Sequence, residues 1–143
     1  MQDLQTLEMD LNAMIARGEM VEATEKYYAD DCTFQEGNKE ARPGGKAAHI
    51  GYLKAIFASV TAVNGLTLHS QTAGDGVTMS EWTFDLSTTN GPVLWNEVLR
   101  RRWVDGQVVS ERYSRETAPV QPRRSCFWSL LPASGRLGCY TAA

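Results

Sequence analysis

Two glutamates, Glu36 and Glu97, are the residues of this chain best suited to carry chemistry. The run from Cys32 to Glu36 alternates as a β-strand does, which puts Cys32, Phe34 and Glu36 on one face. Glu36 therefore points towards the apolar side, where an ionised carboxylate is costly unless it is paired, hydrogen-bonded or protonated. Such a group is a candidate general base. The alternative is a glutamate at a strand end that already turns back into water.

Glu97 occupies a similar position in a later strand, predicted over residues 93–104. Its neighbours two positions away on the same face are apolar, and Glu97 falls between them. Two carboxyl groups in one apolar cavity would have pKa values pushed upward and apart, so one can act as base while the other donates a proton. The alternative is that Glu97 pairs with Arg101 or Arg112 near the rim of the sheet.

The residues expected to line this pocket are aromatic, apolar or polar neighbours on the same faces. Tryptophans are more often core than ligand platform, and a histidine on the flank of a helix usually serves packing or lies at the surface. Both alternatives remain open here. The predicted lining residues are Phe34, Tyr27, Trp82, Phe84, Trp95, Leu99, Arg112, Ser114 and His49.

Composition restricts the class of protein. The 143 residues suit one domain, and 43% hydrophobic with 22% charged residues is ordinary for a soluble globular protein. A net charge of −3 gives no electrostatic reason to expect nucleic acid. No apolar run could span a bilayer and no signal peptide is apparent, so we expect a cytoplasmic protein without a membrane partner. The three cysteines have neither disulfide-framework density nor metal-ligand spacing, so we expect no metal and no cofactor.

Three helices should position the first glutamate. Apolar residues at spacings of three and four predict a helix from residue 4 that stops at Gly18, and a second one over residues 19–28. A third helix should begin after Pro43, with Ile50, Leu53 and Phe57 on its apolar stripe.

Four strands should follow, over residues 66–72, 77–87, 93–104 and 107–115. Gly74-Asp75-Gly76 is predicted as a turn, and the pairs Asn90-Gly91 and Asp105-Gly106 are typical of tight hairpin turns. The predicted class is α+β: three N-terminal helices packed on one face of a curved antiparallel sheet, with the short early strand able to join its edge.

Two-residue turns at these hairpins also predict the register. Glu81, Arg100 and Glu111 would line up across three strands as a charged ladder on the outer face of the sheet. Arg101, Arg112 and Ser114 would then share the inner face with Glu97.

The last 26 residues differ in character from the rest. Residues 118–143 contain three of the five prolines and two of the three cysteines and have no sustained periodicity. We expect a domain over residues 1–117, followed by a tail that is irregular or packed on the domain or on a partner subunit.

The order of elements and four local strings resemble the nuclear-transport-factor-2-like superfamily, in its SnoaL-like and ketosteroid-isomerase-like branches, over about residues 3–116. The strings are Tyr-Ala-Asp-Asp-Cys-Thr-Phe-Gln-Glu (28–36), Gly-Lys-Ala-Ala (45–48), Glu-Trp-Thr-Phe (81–84) and Arg-Trp-Val-Asp-Gly-Gln-Val-Val (102–109). In ketosteroid isomerases the catalytic carboxylate lies five positions after the second aspartate of the first string, which is Glu36 here.

The resemblance implies a cone-shaped barrel with a deep pocket and a homodimer formed through the outer sheet face. The family includes isomerases, cyclases, dehydratases and epoxide hydrolases as well as binding modules without catalysis. The tyrosine that steroid isomerases take from the first helix is matched here by Leu11 or Asn12, and their second acid falls near Leu99, where only Glu97 could substitute. Epoxide hydrolases of this fold use an Asp-Arg-Asp arrangement, part of which Glu97 with Arg112 could imitate.

The functional hypothesis is a cofactor-independent enzyme of isomerase, cyclase or hydrolase type. Glu36 would act as base and Glu97 as proton donor on a small apolar, aromatic or polycyclic molecule. The first alternative is a module of the same fold that binds an apolar ligand without converting it. The second is an assembly unit whose outer face makes a dimer and whose tail acts as a clasp.

Overall fold

The computed structural model describes residues 2–116, which form three helices and five strands. The predicted tail, residues 118–143, and the boundary at residue 117 lie outside these residues. The elements are α1 (Leu4–Ala16), α2 (Met20–Tyr27), β1 (Tyr28–Glu36), α3 (Gly45–Ser59), β2 (Val60–Gly74), β3 (Val77–Thr88), β4 (Gly91–Val104) and β5 (Gln107–Arg115).

Local signals explain where the helices begin and end. Asp3 caps α1 by accepting a hydrogen bond from the Thr6 backbone N–H at 2.9 Å. Gly18, with φ of 81°, lets the chain leave α1 in the left-handed conformation that glycine adopts without strain. Gly45, at φ of 63°, lies so close to the Asp30 carbonyl that a β-carbon would come within 2.4 Å of its oxygen. The third helix therefore packs directly against β1.

The sheet is mixed and not closed, in the order β1-β5-β4-β3-β2. Strands β2 to β5 form the antiparallel meander that the sequence predicts. β1 joins the edge beside β5, as expected, but runs parallel to it. The sequence left the direction of β1 open. A parallel pairing is possible because β1 and β5 are separated by α3 and three strands, and no hairpin forces them to run in opposite directions.

Two of the three hairpins have the predicted turns. Asp75-Gly76 and Asp105-Gly106 both have positive φ at both positions, as a two-residue type I′ turn requires. The third turn is formed by residues 89–90, since Thr88 pairs with Gly91. That moves the β3–β4 register by two residues, which keeps every side chain on its predicted face.

A β-bulge in β5 overturns the predicted register beyond it. Trp103 pairs with Val108, but Arg102 pairs with Ser110, so Val109 is an extra residue. Because side chains alternate along a strand, one extra residue moves all later side chains of β5 to the opposite face.

The predicted faces of four β5 residues are therefore wrong. Glu111 and Tyr113 point into the protein and are buried, whereas Arg112 and Ser114 are exposed on the outer face. The charged ladder on the outer face does not form, because Glu111 instead pairs across β4 with buried Arg101.

The core lies between the helices and the concave face of the sheet. Its fully buried members include Leu11 from α1, Phe34 from β1, Trp82 from β3 and Val108 from β5. Each such side chain contributes on the order of 1.5–3 kcal/mol through burial. Within residues 2–116, none of the helices has the length and apolar character needed to cross a bilayer.

Candidate functional site

A cavity of about 90 Å³ lies between the helices and the sheet and opens to solvent. That volume holds several waters or part of a small organic molecule. Its walls are mostly apolar, with contributions from Leu11, Ile15, Leu53, Phe57, Phe84 and Leu86. Its polar groups fall into two sets, one at the buried end and one nearer to solvent.

The buried end contains an ion network that we call the floor: Glu8, Arg101, Glu111 and Tyr28. Arg101, whose side chain is 1% exposed, donates from Nη1 to Glu8 Oε1 at 2.8 Å and from Nε to Glu111 Oε2 at 2.9 Å. The Tyr28 hydroxyl donates to the same Glu111 oxygen and accepts from Arg101 Nε at 2.8 Å. Two carboxylates thus share one guanidinium.

The far side of the floor joins α1 to the sheet. Glu8 Oε1 also accepts from Asn12 Nδ2 at 3.1 Å, and Glu8 Oε2 accepts from the Thr78 hydroxyl at 2.7 Å. Thr78 in turn accepts from Trp103 Nε1 at 2.9 Å. Both Glu8 oxygens are therefore satisfied, and Glu8 does not line the cavity.

Burial and charge act together on the floor. Burial alone would lower the pKa of Arg101, but Tyr28, Glu8 and Glu111 around it raise that pKa above its ordinary value. Burial raises the pKa of the Tyr28 hydroxyl well above its usual range. Arg101 is therefore a permanent cation and Tyr28 a permanent hydrogen-bond donor.

Two floor atoms are left to interact with a ligand. Glu111 uses Oε2 for both of its bonds, and no residue within 2–116 hydrogen-bonds to its Oε1. Arg101 uses Nε and Nη1, and in the same residues its Nη2 makes no hydrogen bond. Both side chains line the cavity. A carboxylate acceptor and a guanidinium donor thus lie side by side at its buried end.

The second set, nearer to solvent, is the pair Glu97–Arg115, which we call the mouth pair. Arg115 donates from Nε to Glu97 Oε1 at 2.6 Å, and its guanidinium lies over the ring of Trp95, 3.8 Å from the centroid. The two side chains are 9% and 16% exposed. Burial raises the pKa of Glu97, although Arg115 acts in the opposite direction. Glu97 is thus the carboxyl group of this cavity that burial favours in the protonated form.

Aromatic side chains connect the two sets. Tyr113 lies between them, and burial, followed by the nearby Tyr52, raises its pKa to about 12. The Arg42 guanidinium covers the ring of Tyr52 at 3.9 Å. Arg42 Nη2 also lies 2.9 Å from His49 Nδ1, and burial lowers the pKa of His49 to about 4.

The structure brings about half of the predicted site residues together. The ones that line the cavity are Glu97, Phe84, Trp95, Leu99 and His49. Phe34 is buried and stacks on His49 at 3.7 Å, behind the cavity wall. Tyr27 packs edge-on against Trp103, and Trp82 stacks on Phe84 within the core.

The other predicted residues lie away from the cavity. Arg112 and Ser114 are on the outer face because of the bulge, and Arg112 donates to Gln35 at 3.2 Å. Glu36 is at the end of β1 with its side chain 31% exposed, and its carboxylate pairs with Lys39 at 3.1 Å. Glu36 remains close enough for its charge to contribute to the raised pKa of Glu97.

The floor was not predicted from the sequence, although two signals were present. Glu8 and Asn12 lie four residues apart on the apolar stripe of α1, between Leu4 and Ile15, where polar side chains are not expected. The consecutive residues Val108 and Val109 interrupt the alternation of β5, as a bulge does.

Among residues 2–116, no three His, Cys, Asp or Glu side chains are grouped as metal ligands are.

Several solved structures have a similar architecture. It is similar to a proposed SnoaL-like polyketide cyclase from Mesorhizobium loti, with a TM-score of 0.68 and 21% identity over 78% of this chain and 98% of that one. It is also similar to AclR, a proposed hydroxylase from Streptomyces galilaeus, with a TM-score of 0.66 and 18% identity over 80% of this chain and 90% of that one.

A third similar structure is a protein with a ketosteroid-isomerase-like fold from Catenulispora acidiphila, solved with trimethylamine. Its TM-score is 0.59, at 14% identity over 73% of this chain and 82% of that one. No protein-family model and no curated protein sequence matches the chain. Identities at this level establish the fold: the chain has the nuclear-transport-factor-2-like fold of the SnoaL-like and ketosteroid-isomerase-like proteins, as the sequence strings indicated.

Proposed function

We propose that the cavity carries out cofactor-independent proton transfer on a small, largely apolar carbonyl compound, chemistry of the isomerase, cyclase or hydrolase type. One observation carries this proposal. Glu97 and Glu111 line the same apolar cavity, and each holds one oxygen against an arginine while its other oxygen has no partner among residues 2–116. Two carboxyl groups in different environments are the arrangement from which a base and an acid are made.

The floor supports the first proton transfer. Glu111 Oε1 would take a proton from the carbon next to the ligand carbonyl, and the electron pair of that C–H bond would move to the carbonyl oxygen. Arg101 Nη2 is a fixed cationic donor beside Glu111, so it would stabilise the enolate as charge develops. Glu97, whose pKa burial raises, would return a proton to the ligand at another atom. Proton exchange with water then restores both carboxyl groups.

Glu111 replaces Glu36 in this proposal as the base. Glu36 is partly exposed and paired with Lys39, so it gains little from an apolar environment. Glu97 keeps the role of proton donor that the sequence analysis gave it. The proposed cyclase and hydroxylase functions of similar structures support a small-molecule enzyme, and the choice of proton transfer rests on the two carboxyl groups of the cavity.

The test is exchange of carbon-bound hydrogen in D₂O, which does not require the natural substrate. Cyclohexanone, acetophenone and 1-indanone would be incubated with the full chain, and loss of the α-proton signal followed by NMR. We expect exchange above the buffer rate, a loss of about 10²- to 10⁴-fold in Glu111→Gln, and a smaller loss in Glu97→Gln. Glu36→Gln is the matched control. Equal losses in Glu36→Gln and Glu111→Gln would contradict the assignment of the base.

The alternative function is a module that binds the same class of ligand without converting it. The favouring observation is that both cavity carboxylates are already paired with arginines, as structural ion pairs are. It predicts ligand binding by calorimetry with no exchange above the buffer rate for any ketone that binds.

We also propose that the outer face of the sheet forms the homodimer that the resemblance implies. Three exposed apolar side chains, Met79, Leu94 and Val98, lie on that face. An aspartate in place of Val98 would put a charge into the interface. Sedimentation should show a dimer in the unmodified protein and a monomer in Val98→Asp, and a monomer in both would refute the proposal.

A further inference from the structure

His49 is held more tightly than a surface histidine on a helix would be. Its ring stacks on Phe34 with 3.7 Å between centroids and 10° between planes, and Tyr52 covers it at 6.0 Å and 28°. The residue is buried and lines the cavity. Rings on two sides and a hydrogen bond at Nδ1 leave the imidazole one orientation.

Arg42 determines which nitrogen of His49 carries hydrogen. Its Nη2 lies 2.9 Å from His49 Nδ1. A guanidinium has only donors, so Nδ1 must accept, and the single hydrogen of the neutral ring must be on Nε2. A protonated ring would turn an N–H towards the N–H of Arg42 and place two cations together. Arg42 therefore selects the tautomer and opposes protonation.

The groups around His49 add to this effect. Burial opposes the charged ring most strongly, and Arg42 from the β1–α3 loop and Arg101 from β4 act in the same direction. Glu111 from β5 favours the charged ring. The ring is neutral at physiological pH as a result. No residue within 2–116 hydrogen-bonds to His49 Nε2, so this nitrogen is left to interact with a ligand. Among the same residues, Arg42 Nε is the one fully buried side-chain nitrogen or oxygen that has no hydrogen-bond partner.

We propose that His49 is a hydrogen-bond donor of the cavity, whose Nε2–H binds an acceptor oxygen of the ligand, and that Arg42 is the positioning residue that fixes this tautomer. The ligand class follows: a carbonyl, ether or hydroxyl oxygen fits at this position, and an ammonium group does not. The ligand half rests on the proposed function for the presence of a ligand oxygen. The tautomer half does not depend on any activity.

Nitrogen NMR of the full chain tests the tautomer directly. The chain has two histidines, so His69, which is exposed and bonded through Nε2 to Thr83 at 2.7 Å, is a control in the same spectrum. We expect His49 at pH 7 to show a bare Nδ1 and a protonated Nε2, and to protonate only near pH 4. A His49 that carries hydrogen on Nδ1 at pH 7 would overturn the proposal.

The Arg42→Met variant separates positioning from packing. It keeps a long side chain near Tyr52 but removes the donor, so we expect the population with hydrogen on Nδ1 to grow several-fold and the titration midpoint to rise. The matched control, Arg112→Met, removes an arginine from the outer face and should change neither. If Arg42→Met leaves both the tautomer and the midpoint as they were, Arg42 is not the positioning residue.

A pair of probes tests the ligand half. Cyclohexanone has the acceptor oxygen, and methylenecyclohexane has a CH₂ group in its place. His49→Phe keeps the stack on Phe34 but removes Nε2–H, so it should bind the ketone about 5- to 10-fold more weakly and the hydrocarbon equally well. Unchanged ketone binding would refute the ligand half. Failure of proton exchange at Glu111 would instead refute the proposed function. Neither result bears on the tautomer half of the proposal, which the NMR experiment tests.

Discussion

The floor and the mouth pair are both carboxylate–arginine contacts, yet they are built differently. In the floor, Glu8 and Glu111 share Arg101, and the three side chains come from α1, β5 and β4 with 2%, 6% and 1% exposure. In the mouth pair, one carboxylate meets one arginine, both from neighbouring strands, and Arg115 is 16% exposed. With Tyr28 from β1, the floor joins four elements, whereas the mouth pair joins two strands that are already hydrogen-bonded to each other.

This difference indicates separate tasks. A buried ion that loses its partner is left unpaired in a low dielectric, whereas an ion near solvent regains water. The floor should therefore govern stability and the orientation of the cavity's base. The mouth pair, which is less deeply buried, should govern the protonation of Glu97 and contribute less to stability than the floor.

Glu8→Ala should give the largest stability effect, because it leaves Arg101 short of a carboxylate and Thr78 without its acceptor. We expect a loss of about 3–5 kcal/mol in the free energy of unfolding. Urea denaturation measures it, and Glu19→Ala, which removes an exposed pair with Arg17, is the control that should change little. Similar losses in both variants would mean that the floor is no more important than a surface ion pair.

The next effect is a dependence of stability on pH caused by His49. Its pKa is about 4 in the folded protein and about 6.5 in the unfolded chain. Between these values the unfolded chain binds a proton that the folded protein does not, so stability rises with pH and falls as pH drops from 6.5 to 4. The difference amounts to about 3 kcal/mol.

Glu97 changes the stability with pH in the opposite direction, so the experiment must eliminate its contribution. Its pKa is raised in the folded protein, so its contribution is present at low pH and is lost as pH rises through the folded value. Denaturation curves in a Glu97→Gln background should isolate His49, and adding His49→Phe should flatten the slope. Parallel curves with and without His49 would contradict the prediction.

The sequence predicted the position of some of these residues correctly and of others wrongly. Alternation placed Glu97 and Arg101 inward because β4 is regular over its whole length. It misplaced Glu111 because the extra residue Val109 reverses the faces of β5 beyond it, which brings Glu111 inward to Arg101. The strand and helix types were predictable because they depend on local periodicity. The floor was not predictable from periodicity, because it forms only where α1, β1, β4 and β5 meet in the folded protein.

Glu36 shows a second limit of the same reasoning. The alternation of side chains along β1 correctly placed Cys32 and Phe34 in the core, and the same alternation puts Glu36 on that face. The strand ends there, however, and the turn at Gly37, with φ of 53°, brings Lys39 to within 3.1 Å of the carboxylate. Parity gives the direction of a side chain but not how far the covering helices reach.

Arg115→Gln should have the smallest effect on stability and the clearest effect on chemistry. Arg115 lowers the pKa of Glu97 through its charge and its hydrogen bonds, so removing it should raise that pKa further while the floor stays intact. Side-chain ¹³C NMR of the glutamates across pH measures the change, with the free energy of unfolding expected to fall by about 1–2 kcal/mol, less than in Glu8→Ala. A stability loss as large as that of Glu8→Ala, or a Glu97 midpoint that does not move, would mean that the mouth pair is a second structural clamp rather than a control on the acid.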